Sequence, residues 1–241
     1  MSEPRHRPDW GRGLRAMRAL LEDPDSTRHA LEVSYALDGD MTRRRFQRFL
    51  DHPHGRRMLA ERPCLLTALS DREALASLPK GSFGRAYLEH MDRNGFDPHA
   101  LVELRRRTDP VQDREEAEEW FAVRKDLMHD LWHVLSGYGA DGAGEAALLP
   151  FSMAQYGGRS NLLLSLGATL RIWRGTRDAR WFVYVWRSWR RGRRALRLDL
   201  LPYEELLALP LDEVRRQARI QPPEEAHPCG VIELPAAPQT A

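Results

Sequence analysis

An all-α fold, a single domain built as an irregular helical bundle, is what this sequence predicts. Apolar residues recur at helical intervals in segment after segment, as in Leu14, Met17, Leu20 and Leu21. Helix-starting and helix-breaking residues punctuate those segments. Alternating apolar and polar runs of useful length, which strands would need, do not occur, and neither does an internal repeat.

The elements follow in order. Arg12 to Leu21 reads as a first helix, broken by Asp23-Pro24-Asp25-Ser26. Ser26 or Thr27 can cap a second helix to about Leu37. After Gly39-Asp40 a segment starts near Thr42, and Arg56 to Leu75 carries a stripe of Met58, Leu59, Leu65, Leu66 and Leu69. A linker around Pro79-Lys80-Gly81 leads to a helix from Phe83 to Met91, ended by Asn94-Gly95. Asp97-Pro98 supplies an N-cap with proline in the first turn of the next helix. Beyond Asp109-Pro110, the segment Val111 to Leu135 reads as the longest helix, with glutamates early, where the helix dipole favours them. A glycine-rich turn ends it, and Glu145 starts a helix that Pro150 should interrupt or kink. Asn161 to Trp173, Trp181 to Leu200, a segment from Pro202 and Leu211 to Ile220 complete the helices.

Composition narrows the function. Of the 241 residues, 42% are hydrophobic and 30% charged, ordinary for a folded soluble protein. The net charge of +2 gives no reason to expect nucleic acid, whose binding needs a concentrated basic footprint. Cys64 and Cys229 lie far apart and form no metal or redox spacing, so two unpaired thiols are expected. The N-terminus lacks the apolar core of a secretory signal, and no apolar run is long enough to span a bilayer. A cytoplasmic location is the resulting expectation.

The chemistry concentrates at His129-Asp130-x-x-His133, with Glu145 following a glycine-rich turn. The histidines sit one helical turn apart, and Asp130 lies about 100° round from His129 at 3.6 residues per turn. The three side chains can converge beside the helix, and the turn can fold Glu145 back onto the same point. This places a metal site between two consecutive helices. Two imidazoles with carboxylates suit zinc, iron(II) or another divalent ion. Leu127, Leu131, Val134 and Leu135 imply a buried helix, and burying two histidines and an aspartate is costly unless something pairs them. The competing reading is a pair of ordinary satisfied histidines.

The same residues resemble the metal motif of the coenzyme Q (ubiquinone) biosynthesis protein 4 family. Gly84-Arg85-x-Tyr87, Asn94-Gly95-Phe96-x-Pro98 and Trp189-Arg190-x-Gly192-Arg193-x-Ala195 extend the likeness, as does a C-terminal stretch ending in Arg215-Arg216-x-x-x-x-Ile220. It covers roughly residues 50–221, which suggests a helical extension over 1–49 and a proline-rich mobile tail over 222–241. The resemblance implies His129, Asp130, His133 and Glu145 as metal ligands, with zinc foremost. It also implies a polyprenylated aromatic precursor as substrate, decarboxylated with hydroxylation at the same ring carbon. Association with other ubiquinone-biosynthesis enzymes and a homo-oligomer are further expectations. An alternative is a non-catalytic lipid-binding scaffold. Another is a His-Asp-type metal phosphohydrolase, which would draw on His90, His99, Asp178 or Asp199 and leave Glu145 idle.

A polyprenyl substrate calls for an apolar groove reachable from a membrane. Leu162, Leu163, Leu164, Leu166 and Leu170 could line it, or could form an ordinary core helix. Tryptophans from Trp181 to Trp189 run into Arg190, Arg191, Arg193 and Arg194, the composition of an interfacial helix. Peripheral contact with the inner face of the cell membrane is expected on that ground, against a solvated arginine face on a core helix.

Overall fold

A computed structural model describes residues 8–23, 26–38, 40–111, 114–227 and 229–232. Its helices are α1 (Trp10–Glu22), α2 (Thr27–Asp38), α3 (Met41–Leu50), α4 (Pro53–Glu61), α5 (Leu65–Ser70), α6 (Arg72–Ser77), α7 (Phe83–Asn94) and α8 (Pro98–Thr108). They continue as α9 (Glu116–Ser136), α10 (Gly142–Tyr156), α11 (Arg159–Thr176), α12 (Arg180–Arg194), α13 (Tyr203–Leu206), α14 (Leu211–Gln217) and α15 (Pro223–Ala226). Among the described residues there is no strand, only an isolated bridge between Ser82 and Pro210. The all-α single domain expected from the sequence is what forms.

Local chemistry sets the helix ends. Ser26 Oγ accepts from His29 N–H, and Asp97 accepts from His99 N–H at 3.0 Å, capping α2 and α8. The stripe from Arg56 to Leu75 is three short helices rather than one. Arg62 adopts the left-handed conformation (φ 46°) and caps α4, and Pro63 then prevents continuation. Asp71 ends α5 and caps α6, accepting from Ala74 N–H. The helix read from Trp181 to Leu200 stops at Arg194, where Ala195 turns extended. Pro150 interrupts nothing, since α10 runs through it to Tyr156.

One large core joins α5–α7, α9, α10, α12 and the C-terminal segments, built on Phe83, Leu131, Leu135, Leu148, Phe151 and Tyr203, each fully buried. Its central helix is α9. A second cluster of Ala16, Val33, Leu37 and Leu164 sets the α1–α2 pair against α11. Helix α12 packs closely along α10 because Gly192 carries no side chain; a Cβ there would lie 2.4 Å from the Phe151 carbonyl oxygen. At the start of the expected tail His227 is buried with its ring against Tyr138 and Tyr184, and Val231 and Ile232 pack against the core, while Glu224, Glu225, Cys229 and Gly230 are exposed. The rest of that stretch, from 233, lies outside the described residues, and so does Gly39. Cys64 and Cys229 are both free.

Candidate metal centre

Helix α9 presents His129 and His133 on one face, and their rings meet at 4.8 Å, edge to face. Asp141 caps α10, accepting from Ala143 N–H at 2.8 Å and Gly144 N–H at 3.3 Å. That cap starts the helix where Glu145, in its first turn, faces the two imidazoles. Gly144 makes the turn close enough, since a Cβ there would lie 1.8 Å from the Gly139 carbonyl oxygen. Glu145 Oε1 lies 3.2 Å from His133 Nε2, and Oε2 lies 3.8 Å from His129 Nε2.

His129, His133 and Glu145 thus offer one donor atom each, all within 4.8 Å of one another. Donors around a tetrahedral zinc ion, at bond lengths near 2.0–2.2 Å, stand about 3.3–3.5 Å apart. The two measured separations, one from each Glu145 oxygen, lie on either side of that spacing, so the donor types and their proximity suit a divalent ion. Asp130 falls outside the group, and its Oδ1 lies 3.6 Å from His129 Nδ1, on the far side of the ring from Glu145. Adjacent residues on a helix diverge by about 100°, and here the divergence sends Asp130 behind His129 rather than beside it.

The surroundings fix the imidazoles. His133 is 1% exposed and donates from Nδ1 to the Tyr138 carbonyl at 3.1 Å, which leaves the Nε2 lone pair for an ion. Burial works against the charged form of Glu145, yet His133 and His129 outweigh it and hold its pKa down to about 2. Burial likewise disfavours a charged His129, but Asp130 and Glu145 outweigh it and raise its pKa above the usual value. Two arginines hold the end of α9. Arg191 donates to the Ser136 carbonyl and Arg215 to those of Leu135 and Val134, satisfying carbonyls the helix itself cannot. Arg191 is therefore buried structure and not a lipid contact, and Trp181 is equally buried.

Sequence reasoning set one neighbour aside. His90, on α7, is 7% exposed and lies flat beside His133, with ring centroids 5.3 Å apart and an interplanar angle of 21°. Burial, helped by neighbouring His133, lowers its pKa to about 4. His99 is exposed, and Asp178 and Asp199 pair with Arg180 and Arg197. Those carboxylates do not join the group, which leaves the His-Asp phosphohydrolase pattern without its downstream aspartate.

An all-helical domain of this form has solved counterparts. A crystal structure from Nostoc punctiforme PCC 73102, provisionally described as a ubiquinone biosynthesis protein, superposes with a TM-score of 0.64 over 89% of this chain and 99% of its own, at 20% identity. That likeness establishes the fold. The family follows from sequence: residues 15–224 match the profile of coenzyme Q (ubiquinone) biosynthesis protein Coq4, and the chain belongs to that family. The ubiquinone biosynthesis protein COQ4, mitochondrial, of Meyerozyma guilliermondii is 30% identical over 181 residues, 75% of this chain and 56% of its own length. That of Yarrowia lipolytica is 29% identical over 177 residues, 73% of this chain and 65% of its own. The chain thus spans roughly half to two thirds of the length of the curated relatives it matches. Those relatives are named as mitochondrial, whereas the sequence reading expected a cell membrane.

Proposed function

We propose that this chain is a metal-dependent enzyme of ubiquinone biosynthesis that acts on a polyprenylated aromatic precursor, removing its ring carboxylate and hydroxylating the same carbon. The observation that carries the reading is the convergence of His129, His133 and Glu145 within 4.8 Å in a chain of the Coq4 family. A bound divalent ion, zinc or iron(II), would supply a Lewis acid for the carboxylate or phenolate of the ring. His129, His133 and Glu145 would hold the ion, with His133 fixed by the Tyr138 carbonyl. Asp130 would orient His129 from behind, the role carboxylates commonly take beside ligand imidazoles. The overall change would break the ring–carboxylate bond to release CO2 and form a C–O bond with oxygen from water, a net two-electron oxidation whose electrons pass to dioxygen, proposed as the oxidant, to give hydrogen peroxide.

The proposal includes peripheral contact with a membrane, where the polyprenyl tail resides. No helix among the described residues is long and apolar enough to cross one. Leu162, Leu166 and Leu170 point outward from α11, and Phe182, Val183 and Trp186 from α12. Partner enzymes of the same route and self-association remain part of the proposal on the family resemblance alone.

The test is complementation of a ubiquinone-deficient strain. The wild type should restore ubiquinone, and cells carrying His133→Ala should accumulate a prenylated precursor that keeps its carboxylate, identified by mass spectrometry. Restored ubiquinone from a verified metal-free His133→Ala protein would exclude the metal-dependent reading.

A further inference from the structure

Helix α7 packs on α9 and brings a polar wall to the metal centre from outside the motif. Two of its buried polar atoms, Tyr87 Oη and His90 Nε2, have no hydrogen-bond partner in the protein. Buried polar atoms in folded proteins nearly always have partners, so an orphan nitrogen implies a group that comes from elsewhere. His90 stands where such a group would be, beside His133 at 5.3 Å between centroids.

Three protein donors leave a fourth position on a tetrahedral ion open, as in zinc enzymes that keep a site for water or substrate. His90 does not share the close spacing of His129, His133 and Glu145, so it stands one layer further out. An oxygen on the ion interposes about 2.8 Å of hydrogen bond between metal shell and imidazole.

We propose that His90 faces the open coordination position and that its Nε2 accepts a hydrogen bond from the water or hydroxyl group bound there. His90 is then a positioning residue that fixes the direction of the exogenous oxygen. The inference rests on the metal-centre reading above and adds to it a residue that the His-Asp-x-x-His motif does not contain.

The full chain is loaded with zinc, and with copper(II) for spectroscopy, and three forms are compared: wild type, His90→Phe and His90→Gln. Phenylalanine keeps a flat ring beside His133 and removes the acceptor, while glutamine restores an acceptor oxygen. The wild type should bind one ion, with two imidazoles counted by pulsed electron paramagnetic resonance. His90→Phe should keep the stoichiometry and both imidazoles but bind zinc about 10–100-fold more weakly, the usual effect of losing an outer-layer partner. His90→Gln should recover most of that loss. Circular dichroism checks folding, and His90→Leu replaces His90→Phe if the latter loses helicity. Unchanged affinity in His90→Phe would overturn the proposal. So would a third imidazole in the wild type that His90→Phe removes, or a His90→Gln protein as weak as His90→Phe. A wild type that binds no metal overturns the metal-centre reading, and this inference with it.

Discussion

His133 is the most constrained side chain of the centre, buried and tied through Nδ1 to the Tyr138 carbonyl. His129 is tied more loosely, with its side chain 43% exposed. The positions predict a ranking of metal affinity. His133→Ala should lose more than the about 10–100-fold expected for an outer-layer change, because it removes a donor outright. Asp130→Asn should fall inside that range, since its carboxylate sits behind His129. Competition with a chelator of known affinity measures both, and an Asp130→Asn loss equal to that of His133→Ala would place Asp130 on the ion. The pair His129 and His133 was legible because one helical turn dictates where both point. Glu145 was legible because a capped, glycine-rich turn could bring it back. The direction of Asp130 was not, since ring orientation and packing against α7 decide it. His90 was named and set aside for a related reason: a lone histidine on α7 acquires meaning only from the packing of α7 on α9.

The centre depends on two helix ends, the C-terminus of α9 and the N-terminus of α10. Gly144→Ala would drive a methyl group into the Gly139 backbone. Overpacking of this kind costs about 1–3 kcal/mol, and the displaced turn carries Glu145 with it. The variant should melt several degrees lower and bind metal more weakly, whereas Gly175→Ala, in helix α11 where a Cβ meets nothing within 4 Å, should leave metal binding unchanged and melt no lower than the wild type. The α15 segment leans on the same region through His227. Its Nε2 lies 2.8 Å from the Tyr138 hydroxyl, and burial, reinforced by Arg191 and Arg187, lowers its pKa from 6.5 to about 4. The folded pKa is depressed, so the docked state loses nothing above 6.5 and is progressively destabilised as pH falls from there towards 4. Amide protection factors of residues 223–227 and 229–232, corrected for the intrinsic pH dependence of exchange, should fall over that window, and His227→Asn should flatten the dependence. Element positions were largely readable from caps and periodicity. The breaks at Arg62-Pro63 and Ala195 were not, because apolar residues continue across both while backbone geometry changes.

At the scale of the molecule, α11 buries Leu164 and Ile172 but also turns leucines outward. Ser160, Ser165 and Thr169 are buried, and Thr169 satisfies its hydroxyl on the Ser165 carbonyl at 2.7 Å. Leu162, Leu166 and Leu170 are exposed at intervals of four, forming a stripe on the outer face. The neighbouring α12 adds Phe182, Val183 and Trp186, and Phe182 meets Trp173 of α11 with ring centroids 6.1 Å apart. Across the bundle, Trp10, Leu14 and Leu21 extend outward from α1, whose Met17 approaches α11 at Gly167. Exposed apolar residues grouped on neighbouring helices make this a candidate interaction face. Cations surround it: Arg190 stands over the Trp186 ring at 4.7 Å and Arg193 over Trp189 at 5.6 Å. Apolar residues framed by arginine suit an anionic bilayer, with side chains at headgroup depth and guanidinium groups on phosphates. The sequence pointed to the arginines without separating Arg191, which the fold uses internally, from those that remain outside. Flotation with vesicles containing anionic lipid should therefore recover the wild type, and added salt should weaken recovery. Leu166→Glu with Trp186→Glu should abolish binding by opposing burial at the centre of the face. Gln at Arg190, Arg193 and Arg194 should reduce it by about 1 kcal/mol per removed charge at low salt. Both variants should keep the wild-type melting temperature, because none of the five side chains is buried. Recovery of the Leu166→Glu, Trp186→Glu protein at wild-type levels would show that this face is turned away from the lipid.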